Sequence, residues 1–419
     1  MARVLLLLPA AGYRNEDFLS AAQKLNVEVI AAADYCWRLA PLMGMSPILS
    51  LPFDRPAIAL EQALDSLGRR VDAVLAVDDH GLELAALLRE KLGLPGNSPQ
   101  AVRSTRDKLA FRQLLESNGF NCPQFQVAAS DTDVRALASS LQYPVVVKAR
   151  RLSASRGVVR ADDAASFVRA VAQVRRIQAL ADRDAAQLGL ILEDFIPGAE
   201  YALEGLQEDG GLRVLALFDK PDPLDGPYFE ETLYVTPSRL PVQIQKAIAG
   251  EVGRACALAG LASGPVHAEV RVNDQGIWLL EVAARSIGGL CGRVLNHRLG
   301  MPLEELVLRD ALGMPIPPPA NDDAAGVMMI PVPGRGIFRG ARGLEAARAI
   351  PGVDDIRITA QTGQLVAPPP EGSGYLGFIF SRAGASQSAE AALRAAHAAL
   401  EFEIQADRPL ARVCAQGRV

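Results

Sequence analysis

Apolar and polar residues alternate in blocks along the first hundred residues of the chain. The blocks predict strands at 4–8, 27–33 and 71–77 and helices at 17–25 and 82–92. Strands that alternate with helices are typical of a parallel sheet with crossover helices. Loops at the carboxyl ends of such strands often form ligand crevices, and the sequence places Gly12-Tyr-Arg14 and Asp78-Asp79 in loops of this kind.

The middle of the chain follows a different pattern. Turn-forming residues at 93–99 predict a domain boundary, and the spacing of Ser104 and Asp107 predicts a capping box that opens a helix. Further on, the pattern predicts a short strand that ends at Lys148, a helix over 164–181 and a strand over 189–193.

A proline-rich segment at 315–320 predicts a stiff linker near the end of this region. Beyond it, a predicted strand at 375–380 and a predicted helix at 388–400 indicate a separate small α+β unit. We therefore predict an α/β and α+β multidomain protein, with an N-terminal α/β domain at 1–98, a second domain at 99–314 with a flexible lid at about 110–190, a C-terminal α+β domain at 321–405, and a loose tail at 406–419.

Two apolar runs around a polar turn at 273–276 predict a β-hairpin that brings Glu269 and Glu281 side by side. Adjacent carboxylates repel each other unless a cation lies between them. Two carboxylates suit Mg²⁺, with Mn²⁺ as an alternative, and Arg285 follows where it could meet an anion near that metal. The alternative interpretation is an ordinary hairpin with two surface acids.

Three further segments carry polar residues suited to a nucleotide. Lys148 ends a run of valines, where a phosphate could balance its charge, although taken alone the pattern favours a lysine that reaches solvent. The small polar loop at 153–157 could lay N–H groups over phosphates, although it matches neither a Walker A motif nor GxGxxG. Strand-edge backbone after Glu193 could pair with a purine while Glu200 accepts ribose hydroxyls, and the alternative there is a turn with surface acids.

Composition and charge narrow the class of protein. Hydrophobic residues make up 49% and charged residues 22%, which is typical of a folded chain, and a net charge of -5 argues against a nucleic-acid partner. No apolar run approaches the roughly 20 residues of a membrane helix, and the first apolar run is too short and too proline-interrupted for a signal peptide. Five scattered cysteines without a CxxC pair favour a cytoplasmic location with no disulfide and no zinc site.

Taken in order, these motifs resemble the ATP-grasp superfamily over about residues 1–310. The resemblance rests on Arg106-Asp-Lys108, Val147-Lys148, the 153–157 loop, Glu193-x-Phe-Ile-Pro-Gly-x-Glu200, Glu269 and Glu281-x-x-x-Arg285. It implies an ATP-grasp fold with an N-terminal parallel α/β domain. The C-terminal unit is similar to the small domain of biotin carboxylases and L-amino-acid ligases.

The resemblance also implies a role for each matching residue. Lys108 and Lys148 would contact ATP phosphates, and Arg285 would bind the substrate carboxylate or the acyl phosphate, which makes Arg285 and Lys148 the candidate catalytic residues. The remaining implied roles are a mobile flap (Ser153, Ser155, Gly157), adenine contacts (Glu193, Phe195, Ile196), a ribose contact (Glu200), metal ligands (Glu269, Glu281) and substrate contacts (Gly288, Gly289, Lys220, Glu231).

By the same resemblance we expect a carboxylate–amine ligase that uses ATP and Mg²⁺, acts through an acyl phosphate on amino acids or another small carboxylate and an amine, and forms a homodimer. Two alternatives stay open. One is bicarbonate activation like that of biotin carboxylase. The other is an ATP-binding protein without catalysis, because Ala283 stands where most superfamily members carry a metal-binding asparagine.

Overall fold

The computed structural model describes residues 1–9, 12–34, 49–68, 70–181, 185–208, 211–372 and 374–406. The predicted parallel sheet is present at the N-terminus, where four strands lie in the order β3-β2-β1-β4. The first apolar run is a buried strand, because helices cover the sheet and its residues 4–8 are all buried. The elements of this region are β1 (Arg3–Leu8), α1 (Asn15–Lys24), β2 (Glu28–Ala33), β3 (Leu49–Ser50), α2 (Pro56–Ser66), β4 (Ala73–Ala76) and α3 (Leu82–Leu92).

Two short helices follow, α4 (Pro99–Arg106) and α5 (Lys108–Ser117), and they correct the predicted capping box. Ser104 does not open a helix. Its hydroxyl lies inside α4 and donates to a backbone carbonyl, while the α4 cap is Ser98, whose side chain accepts the Ala101 N–H at 3.1 Å. Asp107 instead caps α5, since its carboxylate accepts the Leu109 N–H at 3.0 Å.

A four-stranded antiparallel sheet in the order β5-β8-β6-β7 comes next, and α7 packs on it. The helix predicted over 164–181 is confirmed, and its apolar face packs into the core of this sheet. The sheet occupies most of the segment predicted as a lid, so we call it the lid sheet. Its elements are β5 (Phe125–Ala128), α6 (Val134–Ala138), β6 (Val145–Ala149), β7 (Val158–Ala161), α7 (Ala164–Ala181) and β8 (Leu190–Asp194).

The largest sheet has eight strands in the order β13-β12-β9-β10-β11-β14-β18-β16. The predicted hairpin is confirmed as β12 and β13, with Glu269 opposite Glu281 in the ladder. Its first elements are β9 (Ala199–Glu208), β10 (Gly211–Lys220), β11 (Leu233–Thr236), α8 (Val242–Ala259), β12 (Gly264–Asn273), β13 (Gly276–Ala283), α9 (Asn296–Leu299) and α10 (Leu303–Ala311).

The C-terminal region, predicted as a domain at 321–405, adds strands to this sheet. Its strands β14, β18 and β16 pair onward from β11, and Leu233 and Val235 of β11 share one core cluster with Met328 and Leu393. A three-stranded sheet, β17-β15-β19, lies in the same region. The elements are β14 (Ala324–Ile330), β15 (Gly336–Arg342), α11 (Leu344–Arg348), β16 (Val353–Ile358), β17 (Leu365–Val366), β18 (Gly377–Ala383), α12 (Ser386–Ala398) and β19 (Glu401–Ala406).

The predicted tail at 406–419 lies outside the described residues except for Ala406, which ends β19. Among the helices that the structure describes, none combines the length and the apolar character needed to cross a bilayer.

Candidate active site

A cavity of about 320 Å³ lies where the N-terminal sheet, the lid sheet and the eight-stranded sheet meet. Nearly all the residues that the sequence singled out are on its wall. Gly157 lies instead in a small adjoining pocket that shares Ser155 with the cavity, and Lys220 lies behind the wall. The predicted residues on the wall are Lys108, Lys148, Ser153, Ser155, Glu193, Phe195, Ile196, Glu200, Glu231, Glu269, Glu281, Arg285, Gly288 and Gly289.

Glu193 is held between two cations at the lid-sheet side of the cavity, and we call these three residues the Glu193 group. Lys148 Nζ lies 2.6 Å from one carboxylate oxygen of Glu193, and Arg112 Nε lies 2.9 Å from the other. Burial would raise the pKa of Glu193, but the charges of Arg112 and Lys148 lower it to about 2. The alternative interpretation, in which the Lys148 ammonium extends into solvent, is therefore wrong. The charge of Lys148 is balanced by Glu193 inside the protein.

Arg112 was missed at the sequence level. It lies on α5 among apolar residues, its side chain is fully buried, and it also donates to the Leu280 carbonyl at 3.0 Å. A lone arginine in an apolar helix pattern gives no local indication of its partner, which is 81 residues away along the chain.

Lys220 carries the opposite arrangement, one ammonium among three carboxylates, which we call the Lys220 group. Its Nζ lies 2.8 Å from Glu200, 2.7 Å from Glu231 and 3.1 Å from Glu269. Oxygens of these carboxylates lie within 4.8 Å of one another, close enough to surround a cation, and the ammonium supplies that cation. The structure therefore corrects the predicted substrate contact by Lys220, because this residue supports the wall rather than forming it.

The Lys220 group has strongly shifted acidities. Burial would lower the pKa of Lys220, but the surrounding carboxylates raise it well above its ordinary value. Burial would raise the pKa of Glu269, yet Lys220 and His267 lower it well below the usual range, whereas burial and the charge of Glu269 raise the pKa of Glu231. Glu269 is thus ionised at neutral pH.

Glu200, the predicted ribose ligand, is also bound by Arg271, whose Nε lies 3.0 Å from its second oxygen. Arg271 donates to the Ile196 carbonyl at 2.6 Å, so this carbonyl is already engaged. Phe195 stacks on Phe229 with ring centroids 6.5 Å apart and forms an apolar wall suited to a planar base.

The hairpin carboxylates fit a hard divalent cation. Glu269 and Glu281 are direct neighbours across the ladder, both face the cavity, and a bulge after Glu269 re-aims the strand at this point. Lys108 Nζ lies 3.6 Å from Glu281 and donates to the Leu152 carbonyl at 2.5 Å. Oxygen donors of this kind are those that Mg²⁺ takes together with phosphates.

His267 borders the same place and was not assigned a role from the sequence. An H-x-E pattern alone resembles zinc deaminases, but no PCxxC partner is present. In the structure its Nδ1 lies 3.2 Å from Glu204 and its Nε2 lies 3.6 Å from Glu269. Burial would lower the pKa of His267, but hydrogen bonds to the two glutamates raise it to about 9. The alternation of side chains along a strand could have identified His267, because residues 267 and 269 lie on the same face of β12. Ala283 is its neighbour across the ladder.

Arg285 is fixed by the N-terminal region. Its Nε lies 2.7 Å from Asp79, and its Nη1 donates to the Ser286 carbonyl at 3.1 Å. Burial would raise the pKa of Asp79, but the charge of Arg285 lowers it. The sequence placed Asp79 only in a strand-end loop, and the ion pair joins residues 206 positions apart.

The glycine-rich loop after Arg285 is anchored from two sides. Arg14 donates to the Ile287 carbonyl at 2.8 Å and to the Ser286 hydroxyl at 2.7 Å. Glu204 accepts the Ile287 N–H at 3.0 Å. Gly289 has φ +60, and a Cβ there would lie 3.2 Å from the Phe378 ring, so this position requires glycine.

The loop at 153–157 has an uncommon backbone. Ala154 and Ser155 have φ of 54 and 55, in the left-handed region that residues other than glycine seldom adopt. Strain of this kind is concentrated at functional sites and ligand clamps. Ser153 and Ser155 both line the cavity, in agreement with a loop that covers a ligand.

The chain is similar to several known proteins in sequence and in fold. Residues 141–294 match the family model of the ATP-grasp domain, and residues 328–405 match that of the L-amino acid ligase C-terminal domain 2. The solved structure of L-amino acid ligase from Bacillus licheniformis aligns with a TM-score of 0.78 at 27% identity, over 97% of this chain and 99% of that chain.

Among curated proteins, carnosine synthase 1 from Gallus gallus is 29% identical over 78% of this chain and 37% of its own length. Alanine–anticapsin ligase from Bacillus subtilis is 24% identical over 68% of this chain and 64% of its own length. The chain thus spans little more than a third of the carnosine synthase that it matches. The resemblance seen in the sequence is confirmed: the chain contains a region that matches the ATP-grasp domain and a C-terminal region that matches the L-amino acid ligase C-terminal domain 2.

Proposed function

We propose that the protein is an ATP-dependent ligase that joins a small carboxylate, such as an amino acid, to an amine through an acyl phosphate. The observation that carries the proposal is the meeting of three features in one cavity: the lysines Lys108 and Lys148, the neighbouring glutamates Glu269 and Glu281, and the anchored guanidinium of Arg285. The ligase names of the relatives support the same chemistry.

The nucleotide fits the side of the cavity next to the lid sheet. Phe195 and Phe229 provide an apolar wall for the adenine, and the loop at 153–157 would cover the phosphates. Lys148 gives one hydrogen bond to Glu193, and an ammonium has three donors, so it keeps capacity for phosphate oxygens. Lys108 contributes a second positive charge nearby.

Glu269 and Glu281 would hold Mg²⁺, or Mn²⁺ as an alternative, and the bound ion would neutralise charge on the phosphates. Residues of the chain itself would bind the substrate and exclude water. Arg285 presents a rigid guanidinium to the substrate carboxylate and then to its acyl phosphate. A substrate carboxylate oxygen attacks the γ-phosphorus, ADP leaves, and the amine then attacks the acyl carbon and releases phosphate. Cover by the 153–157 loop would exclude water that hydrolyses the acyl phosphate.

The ligase interpretation is favoured over bicarbonate activation by the C-terminal region, because residues 328–405 match the L-amino acid ligase family model. A cytoplasmic location and a homodimer belong to the same proposal. The free thiols of Cys122, Cys256 and Cys291 are compatible with the reducing compartment.

The first experiment measures ADP release with Mg²⁺-ATP and an equimolar mixture of the twenty amino acids, with hydroxylamine added in parallel to trap the acyl phosphate as a hydroxamate. We expect both products from the wild type. The Glu281→Ala variant should lose at least about 100-fold in rate, since a metal's charge stabilisation is worth several kcal/mol and 1.4 kcal/mol is tenfold.

The matched control is Asp274→Asn, which changes an exposed acid in the turn of the same hairpin. It should behave as wild type. Tight ATP binding without ADP release would favour the non-catalytic alternative, and carboxylation of biotin without dependence on an amine would favour the biotin-carboxylase-like one. Equal rates for wild type and Glu281→Ala would contradict the metal site.

A further inference from the structure

The carboxylates on the cavity wall are mostly paired with cations. Asp79 is bound by Arg285, Glu193 by Lys148, and the remaining glutamates are held by Lys220 or Lys108. Within the part of the chain that the structure describes, Asp78 and Asp194 are the wall carboxylates with no side-chain nitrogen of lysine, arginine or histidine within 4.0 Å. Asp194 is exposed at the end of β8, whereas Asp78 is half-buried.

The fold fixes the carboxylate of Asp78. It follows β4, the edge strand of the parallel sheet, and its Oδ1 accepts the His80 N–H at 3.0 Å. Gly81 packs closely against β1 and so holds the end of this loop in place, because a Cβ on Gly81 would lie 3.1 Å from the Leu7 Cβ. The orientation of Asp78 is thus set before any ligand arrives, while its Oδ2 accepts no hydrogen bond from the described residues.

Asp78 also stands next to the reacting centre of the proposed ligase. The adjacent Asp79 is bonded to Arg285 at 2.7 Å, and Arg285 is the proposed ligand of the acyl phosphate. Asp78, which has no cationic side chain as a partner, and Asp79, which is paired with Arg285, are therefore consecutive residues at one edge of the cavity. Among the described residues, the charged groups that act most strongly on Asp78 are Asp79, His80 and Arg285. Burial, followed by the charge of Asp79, raises the pKa of Asp78, which makes it a stronger base than an ordinary carboxylate.

We propose that Asp78 binds the ammonium group of the amine substrate and accepts the proton that the amine must lose before it attacks the acyl phosphate. The inference rests on the proposed ligase function and gives the amine a defined place. An aliphatic amine is protonated at neutral pH and cannot attack in that form. Its first proton passes to Asp78, the C–N bond forms as the C–O bond to phosphate breaks, and the second proton leaves with the phosphate.

The test compares two nucleophiles in one reaction. Hydroxylamine is largely uncharged at neutral pH and needs neither an ammonium site nor a base, whereas amino acids need both. With Mg²⁺-ATP, the mixture of twenty amino acids and hydroxylamine, dipeptide and hydroxamate are quantified together by mass spectrometry. Asp78→Asn keeps the shape and the acceptor for the His80 N–H.

In Asp78→Asn we expect the dipeptide to fall about 100-fold, the size of a general-base contribution, while the hydroxamate stays within about twofold. The dipeptide should recover as the pH is raised and the free amine becomes abundant, and Asp78→Glu should restore part of it at neutral pH. The control Asp65→Asn, an exposed acid on α2, should leave both products unchanged.

A dipeptide-to-hydroxamate ratio equal to that of the wild type would overturn the inference, whether both products persist or both fall. A fall in both with a raised KM for the carboxylate substrate would assign Asp78 to the acyl donor instead. Absence of ADP release and of hydroxamate in the wild type would reject the ligase function itself, together with this inference, and is distinguishable from an active enzyme with an unchanged ratio.

Discussion

The Glu193 group and the Lys220 group lie beside one cavity and have opposite charge balance among their own residues. In the Glu193 group one carboxylate is shared by Arg112 and Lys148, so positive charge is in excess. In the Lys220 group one ammonium is shared by three carboxylates, so negative charge is in excess. Both are buried, and a buried charge without a partner costs several kcal/mol.

The comparison shows how buried ionised side chains can be kept at a site without destabilising the fold. Each group satisfies its minority charge fully, and in the Lys220 group two of the three carboxylates have a further cation, Arg271 at Glu200 and His267 at Glu269. Excess positive charge therefore remains at the Glu193 group. The phosphates of a nucleotide would be attracted toward that group before any specific hydrogen bond forms.

Removal of the single cation of the Lys220 group should have the largest effect. In Lys220→Met the three carboxylates lose the ammonium that they share, and only Glu200 and Glu269 keep another cation, so we expect the free energy of unfolding to fall by about 3–5 kcal/mol. Urea denaturation of the variant and of Lys246→Met, an exposed lysine on α8, measures the difference. Added Mg²⁺ should stabilise Lys220→Met more than the wild type, since the three carboxylates are close enough to hold a cation. A loss below about 1 kcal/mol would show that the group does not depend on its ammonium.

The Glu193 group gives a test with a defined pH dependence. Glu193→Gln leaves two buried cations without their carboxylate, and we expect a loss of about 3 kcal/mol at neutral pH. The folded pKa of Glu193 is lowered from 4.5 to about 2, so its contribution is complete above pH 4.5 and is lost as the pH falls toward 2. The difference between wild type and variant should shrink over that interval in denaturation curves. A difference that is constant from pH 7 to pH 3 would contradict the assignment.

The smallest effect is expected at the Arg285–Asp79 pair, which lines the same cavity. Arg285→Lys keeps the charge but cannot bond Asp79 and the Ser286 carbonyl while also presenting two donors to the substrate. We expect KM for the carboxylate substrate to rise about tenfold, the cost of one charge-assisted hydrogen bond. Steady-state kinetics at saturating ATP measure it, and an unchanged KM would refute the substrate role of Arg285.

Local patterns in the sequence predicted those features that depend on local physics. The hairpin of Glu269 and Glu281 followed from two apolar runs around a polar turn, and the helix at 164–181 followed from its periodicity. The buried partners could not be predicted this way. Arg271 and Glu200 pair across 71 residues, and nothing near either residue indicates the other.

One prediction was wrong for a local reason, and one feature of the fold was not predicted. Ser104 had the spacing of a cap, but Ser98 followed by Pro99 starts the helix earlier, because proline favours the first turn. Beyond the proline-rich segment at 315–320, β14 returns to pair with β11, and the sequence did not predict this pairing. Strand pairing across a linker depends on the shape of the whole sheet and leaves no local pattern.

The continuous eight-stranded sheet limits how the protein can be dissected in the laboratory. A fragment that ends at residue 320 would lose the partner of β11 and uncover Leu233 and Val235, which the C-terminal residues bury. An open strand edge beside newly exposed apolar surface is a template for intermolecular pairing. Expression of this fragment alone should therefore yield insoluble material. The C-terminal region thus protects the edge of β11 against aggregation in addition to its part in the function.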